Sequence, residues 1–156
     1  MAQKIELHVN SRAHNVEVEP ETPLLYVLRN YLELNGPRYG CGYEQCGACM
    51  ALVNGVPLPT CKMPVASAVG KTIRTLEDLG TEEKPHPLQR AFIQEQAAQC
   101  GYCISGAILC AHALLEQKPE PSERDIRLAL ERVLCRCGTH ARIIRAVQRA
   151  AKEARA

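Results

Sequence analysis

Eight of the nine cysteines fall into two sets of four. The first set is Cys41, Cys46, Cys49 and Cys61. Three of its members sit in the glycine-rich run "GCGYEQCGAC" (40–49), and the fourth follows downstream. The second set is Cys100 and Cys103, in "CGYC", with Cys135 and Cys137, in "CRC". A disulfide needs two thiols, whereas a metal centre usually takes four ligands. C-x4-C-x2-C with a later cysteine is the spacing that wraps a [2Fe–2S] cluster. Zinc prefers C-x2–4-C pairs set well apart rather than three cysteines in one loop. The glycines have a mechanical reason: Gly40, Gly42 and Gly47 permit the tight or left-handed turns that aim backbone N–H groups at sulfur.

The second set is less specific, because C-x2-C and C-x-C are each common. A cluster, a zinc ion and a redox-active CxxC all stay open on spacing alone. The βαβ setting of a thioredoxin-like motif is missing. The cysteines are expected at helix ends, with Cys100 closing one helix, Cys103 opening the next, Cys135 closing a third and Cys137 preceding a fourth. Free N–H groups at helix N-termini favour thiolates and anionic clusters. Arg136 can offset part of the negative charge. Cys110, the ninth, lies seven residues after Cys103 and reads as a buried core cysteine.

The elements that must position these thiols divide the chain in two. Residues 1–79 read as strands with one helix. Ile5, Leu7 and Val9 alternate with Lys4, Glu6 and His8, and Val16 and Val18 repeat the pattern, so a hairpin is expected. "TPLLYVLRNYL" switches to helical spacing, with Thr22 as a cap and Pro23 at the first helical position. "CMALVNGVPLPTC" reads as a second hairpin turning at Asn54-Gly55, which brings Cys61 back toward the loop. "KTIRTL" (71–76) is a short strand. Residues 80–87, "GTEEKPHP", have the composition of a linker. Residues 88–156 read as four helices: "LQRAFIQEQAAQ", "ISGAILCAHALLEQ", "SERDIRLALERVL" and "THARIIRAVQRAAKEA". Ser122 with Asp125 resembles a capping box.

Composition excludes other classes. The chain has 156 residues and a formal charge of +2, too weak to imply nucleic acid. With five Tyr, one Phe and no Trp, it lacks the aromatic platforms that stack bases, which counts against a zinc-bound nucleic-acid module. No apolar run approaches the roughly 20 residues that span a bilayer. The N-terminus shows alternation rather than an apolar signal core, so a cytoplasmic location is expected, where cysteines more often serve metal or redox chemistry than disulfides. No G-x-G-x-x-G or phosphate loop is present, so no flavin or dinucleotide site is expected.

"YGCGYEQCGAC", "NGVPLPTC", "HPLQRAFIQEQAAQCGYC" and "LCRCGTH" together resemble the small iron–sulfur subunit of the molybdenum hydroxylases, the xanthine oxidase family. The resemblance covers essentially the whole chain. It implies an α+β architecture: an N-terminal β-grasp, plant-type ferredoxin domain, then an all-α four-helix domain, each with one [2Fe–2S] cluster. The ligands it implies are Cys41, Cys46, Cys49 and Cys61 for one cluster, and Cys100, Cys103, Cys135 and Cys137 for the other. Gln99 and Cys137 match the positions that face a molybdopterin cofactor on a large partner subunit. The implied role is electron transfer. Electrons released by water-dependent hydroxylation of the substrate would pass through the helical-domain cluster, then the ferredoxin-domain cluster, to a flavin subunit or a cytochrome c. Many members read C-R-C-T-G-Y at the last cysteines, whereas this chain reads Cys135-Arg136-Cys137-Gly138-Thr139-His140. That variant resembles the branch acting on N-heteroaromatics such as nicotinate, with aldehydes as the other substrate class. His140 reads as a packing or capping residue. A free-standing ferredoxin serving several partners is the alternative.

Overall fold

The computed structural model describes residues 1–154. Strands β1 (Gln3–Val9) and β2 (Arg12–Val18) pair antiparallel, with Ile5 opposite Val16. The two-residue turn between them, Asn10 and Ser11, has positive φ at both positions, as a tight hairpin requires. Strands β3 (Met50–Val53) and β4 (Val56–Pro59) form the second hairpin, turning at Asn54 and Gly55 with φ of 49° and 79°. Strand β5 (Thr72–Arg74) joins the hairpins, parallel to β1 and antiparallel to β3, giving the order β2-β1-β5-β3-β4.

One face of this sheet carries Ile5, Leu7, Val9, Val16, Val18, Ala51 and Ile73 against Leu24, Val27 and Leu28. Leu24 belongs to α1 (Leu24–Tyr26), a single turn that runs directly into a π-helical turn, Val27–Tyr31, which carries Val27 and Leu28. The expected cap differs: Pro23 occupies the N-cap, and Thr22 donates its own N–H to the Glu19 carbonyl without capping the helix.

The helices that follow are α2 (Pro87–Gln94), α3 (Ile104–Gln117), α4 (Glu123–Ala129) and α5 (His140–Glu153). The capping box at Ser122 and Asp125 forms, each side chain bonding the other's backbone N–H. His86 builds a second box at α2 with Gln89. Two helix ends come earlier than the apolar spacing indicates. α2 stops at Gln94 because Gln96 adopts φ of 48°, so Cys100 lies in a loop rather than at a helix end. α4 stops at Ala129, and Cys135 lies beyond a further turned segment rather than closing the helix. Cys103 is the N-cap of α3, as its position indicates.

The sheet and helices share a core. Met50 and Leu52, the β3 residues alternating with Ala51, face the other way and pack with Leu88, Phe92, Ala107, Leu109, Ile143 and Val147. Alternation along β3 therefore serves two cores at once, and all four of its residues are buried. Cys110 lies in this second core, where burial pushes its thiol up to about 11.

Candidate metal centres

The first set is built on the loop between the π-helical turn and β3. Gly42 and Gly47 take φ of 70° and 71°, the left-handed conformation that favours glycine. Gly40 is needed for space, because a Cβ there would lie 2.6 Å from Cys46 Sγ. The turned backbone aims its donors at sulfur. Tyr43 N–H and Gln45 N–H donate to Cys41 Sγ over 3.3 and 3.4 Å, and Cys41 N–H donates to Cys46 Sγ over 3.4 Å. The bonds to Cys41, that from Tyr43 foremost, hold its thiol down to about 7. Cys49 and Cys61 are buried against Leu25, with Cys61 returned to the loop by the β3–β4 hairpin. Burial pushes the Cys49 thiol up to about 11.

The second set gathers where the loop before α3 meets the loop before α5. Cys100 is exposed, Cys103 and Cys135 are buried, and Cys137 is half-buried. Burial pushes the Cys103 thiol up to about 12. Burial acts the same way on Cys135, but hydrogen bonds from the Thr139 hydroxyl and N–H, from Cys103 and from the Cys137 N–H together outweigh it and bring the thiol down to about 7. At Cys100 the thiol is lowered, first by the Tyr102 N–H and then by Cys137.

Within each set the thiols act on one another: Cys41 with Cys46 and Cys49 with Cys61 in the first, and Cys100, Cys103, Cys135 and Cys137 together in the second. A single tetrahedral ion draws its four ligands onto one point. A [2Fe–2S] cluster takes two cysteines at each of two irons. The inward N–H groups suit the negative charge of such a cluster.

The two sets are tied together by contacts that periodicity in the sequence does not reveal. Leu134 N–H donates to the Cys46 carbonyl over 3.0 Å. Arg132 donates to the Glu44 carbonyl over 2.8 Å. Arg38 donates to the Gly101 carbonyl and lies 5.5 Å above the Tyr102 ring, while the Tyr102 hydroxyl donates to the Tyr39 carbonyl. Gly106 lets the first loop press against α3, because a Cβ there would fall onto the Gly47 carbonyl, and Gly47 lets the loop meet the segment before Cys135, because a Cβ there would fall onto the Arg132 carbonyl. Beside this seam a cleft of about 560 Å³ reaches from Cys41 and Cys46 to His140 and Ile143. It leaves that side of the first set open, while Cys49 and Cys61 are sealed.

Gln99 is exposed, on the same loop as Cys100. His140 opens α5 and accepts the Cys135 N–H at Nε2 over 3.4 Å. Thr139, passed over in the sequence, is buried beside Cys135; its only sequence signal is its position two residues after a cysteine.

Two family profiles match the chain in succession. A "2Fe-2S iron-sulfur cluster binding domain" covers residues 7–70, and a "[2Fe-2S] binding domain" covers residues 75–148. A nicotinate dehydrogenase subunit from Pseudomonas putida is 54% identical over 155 residues, 99% of each chain. The alpha subunit of isoquinoline 1-oxidoreductase from Brevundimonas diminuta is 46% identical, covering 96% of this chain and 99% of that one. Quinoline 2-oxidoreductase from Pseudomonas putida 86 contains a chain that superposes with a TM-score of 0.93 at 33% identity, over 99% of this chain and 96% of that chain. Aldehyde oxidoreductase from Desulfovibrio desulfuricans superposes with a TM-score of 0.94 at 37% identity, but there the match spans 17% of the longer polypeptide. The chain belongs to the small iron–sulfur subunits of the molybdenum hydroxylases, electron-transfer subunits with two [2Fe–2S] clusters.

Proposed function

We propose that Cys41, Cys46, Cys49 and Cys61 ligate one [2Fe–2S] cluster and Cys100, Cys103, Cys135 and Cys137 the other. The backbone N–H groups aimed at Cys41 and Cys46 sulfur in one set and at Cys135 sulfur in the other carry this reading. Residues 1–79 form the β-grasp ferredoxin domain, 80–87 the linker, and 88–156 an all-α domain of four helices that carries the second set in the loops before α3 and α5. Each bound cluster accepts and releases one electron. The chain's own residues fix the thiols, aim N–H donors at them, and hold the two sets in one rigid seam.

The order of transfer is the one the family resemblance implies: the helical-domain cluster first, then the ferredoxin-domain cluster. Gln99 and Cys137 match the family positions that face the molybdopterin of a large partner subunit, and this edge is accessible to one, with Cys100 and Gln99 exposed and Cys137 half-buried. The open side at Cys41 and Cys46 faces the acceptor, a flavin subunit or a cytochrome c domain. Relatives named for nicotinate and isoquinoline are 54% and 46% identical, while one named for aldehydes is 38% identical. An N-heteroaromatic substrate, hydroxylated on the partner, is therefore favoured over an aldehyde. No helix among the described residues is long and apolar enough to cross a membrane. A free ferredoxin is the second reading, and it would be isolated without a larger chain. The test is composition of the natively purified protein: about four iron and four acid-labile sulfide per chain, two of each per cluster, in complex with a large subunit. Stoichiometric zinc in place of iron would overturn the assignment.

A further inference from the structure

We propose that Thr139 sets the redox potential of the second cluster by donating its hydroxyl hydrogen to Cys135 Sγ. The inference rests on Cys135 being a cluster ligand, as proposed above. Thr139 Oγ1 lies 3.2 Å from Cys135 Sγ, and the Thr139 N–H approaches the same sulfur at 3.5 Å. A sulfur bound to iron carries no proton, so the hydroxyl is the donor. Gly138, at φ of 75°, turns the chain so that both groups of Thr139 point back to the cysteine four residues earlier.

The placement is not what helix formation alone would select. Thr139 is the N-cap of α5, where a threonine ordinarily accepts an N–H of the first turn. Here it makes no side-chain capping bond, and its hydroxyl turns to sulfur instead. Thr139 is also withdrawn from water, at 4% exposure, so the bond acts in a medium of low dielectric. The first set differs. The donors to Cys41 and Cys46 sulfur are backbone N–H groups, and the buried Thr60 hydroxyl spends its hydrogen on the Cys49 carbonyl at 2.7 Å.

Reduction adds one electron to the cluster and increases the negative charge on its sulfurs. A hydrogen bond to sulfur is then stronger in the reduced state than in the oxidised one, so it raises the potential. The Thr139 hydroxyl makes the second cluster a better acceptor for electrons arriving from the partner.

The test is a redox titration of the intact complex, following the paramagnetic signals of both clusters. Thr139→Val should shift the second cluster's midpoint to more negative potential and leave the first cluster's unchanged. Thr139→Ser, which keeps the hydroxyl, should stay close to the parent. If the valine side chain prevents loading, Thr139→Ala removes the hydroxyl without the bulk and should show the same negative shift. An unmoved midpoint in either hydroxyl-free variant, or an equal shift in the serine variant, would overturn the proposal. So would failure of the second cluster to load in both hydroxyl-free variants, which would assign Thr139 a structural role instead. A parent protein holding only one cluster would refute the ligand assignment beneath the proposal rather than Thr139's part in it.

Discussion

Leu134 donates its backbone N–H to the Cys46 carbonyl over 3.0 Å, and the next residue in the chain is Cys135. One hydrogen bond and a short run of covalent bonds thus connect a cysteine of the first set to a cysteine of the second. Electron tunnelling decays less steeply through bonds than across gaps, so this link is a natural route between the sets. Leu134→Pro removes the donor. Rapid-reaction spectroscopy should show slower transfer between the clusters, with both still present. Leu134→Ala keeps the N–H and trims a side chain on a residue that is 65% exposed, so it should transfer at the parent rate. Equal rates in the proline variant and the parent would show that the link carries no electrons.

Gly106 lies in the first turn of α3, where alanine is favoured by about 1 kcal/mol on helix propensity. The Gly47 carbonyl occupies the place of its absent Cβ. Overpacking of this kind costs about 1–3 kcal/mol and here meets backbone, which yields poorly. Gly106→Ala should therefore lower the denaturation midpoint and loosen the first cluster. A midpoint at or above the parent's would show that the close approach is not tight.

Glu95 ends α2 and pairs with two arginines of α5, Arg149 at 2.6 Å and Arg145 at 3.3 Å. Arg149 foremost, with Arg145, holds its carboxyl below the ordinary 4.5. The unfolded chain then binds a proton at higher pH than the folded one, so the stabilisation is full above about 4.5 and fades as pH falls through the folded value. Glu95→Gln should be less stable than the parent at neutral pH, and acid titration should close the gap. A gap unchanged at low pH would show that the carboxylate charge is not its source.

His86 and His112 meet edge to ring at 5.2 Å, between the strands and the helices. Burial lowers both, His86 further through its neighbours His112, Arg74 and Arg90 against Glu116, and His112 through Arg74 against Glu116. His86 must also be unprotonated at Nδ1 to accept the Leu88 N–H at 3.2 Å. Because the unfolded imidazoles protonate first, stability should fall as pH drops below the ordinary 6.5. Denaturation midpoints at pH above and below that value measure the fall, and His112→Gln should reduce it. An equally steep fall in that variant would place the effect elsewhere.

Both hairpins, the Asn54-Gly55 turn and the Ser122 box are legible because each depends on local spacing. What sequence spacing misses is long-range. "QEQAAQ" has strong helix-forming composition, yet Gln96 turns left-handed so that Ala97 can bury and Cys100 can swing out to its set. α4 has apolar residues that would continue it, yet it ends early and Leu134 meets the first loop instead. Thr139 is invisible for the same reason: a threonine before a helix reads as a cap, and only the fold shows its hydroxyl spent on sulfur.

The central claim is that two clusters, each held by its own four cysteines, work in series. Cys137→Ser in the intact complex tests it most directly, with substrate or dithionite as reductant and both paramagnetic signals followed. The account predicts a perturbed second signal, loss of substrate-driven reduction of the first cluster, and normal reduction of that cluster by dithionite. Cys46→Ser should show the converse: substrate still reduces the second cluster, but the acceptor is starved. Substrate-driven reduction of the first cluster at its parent rate in Cys137→Ser would contradict the account.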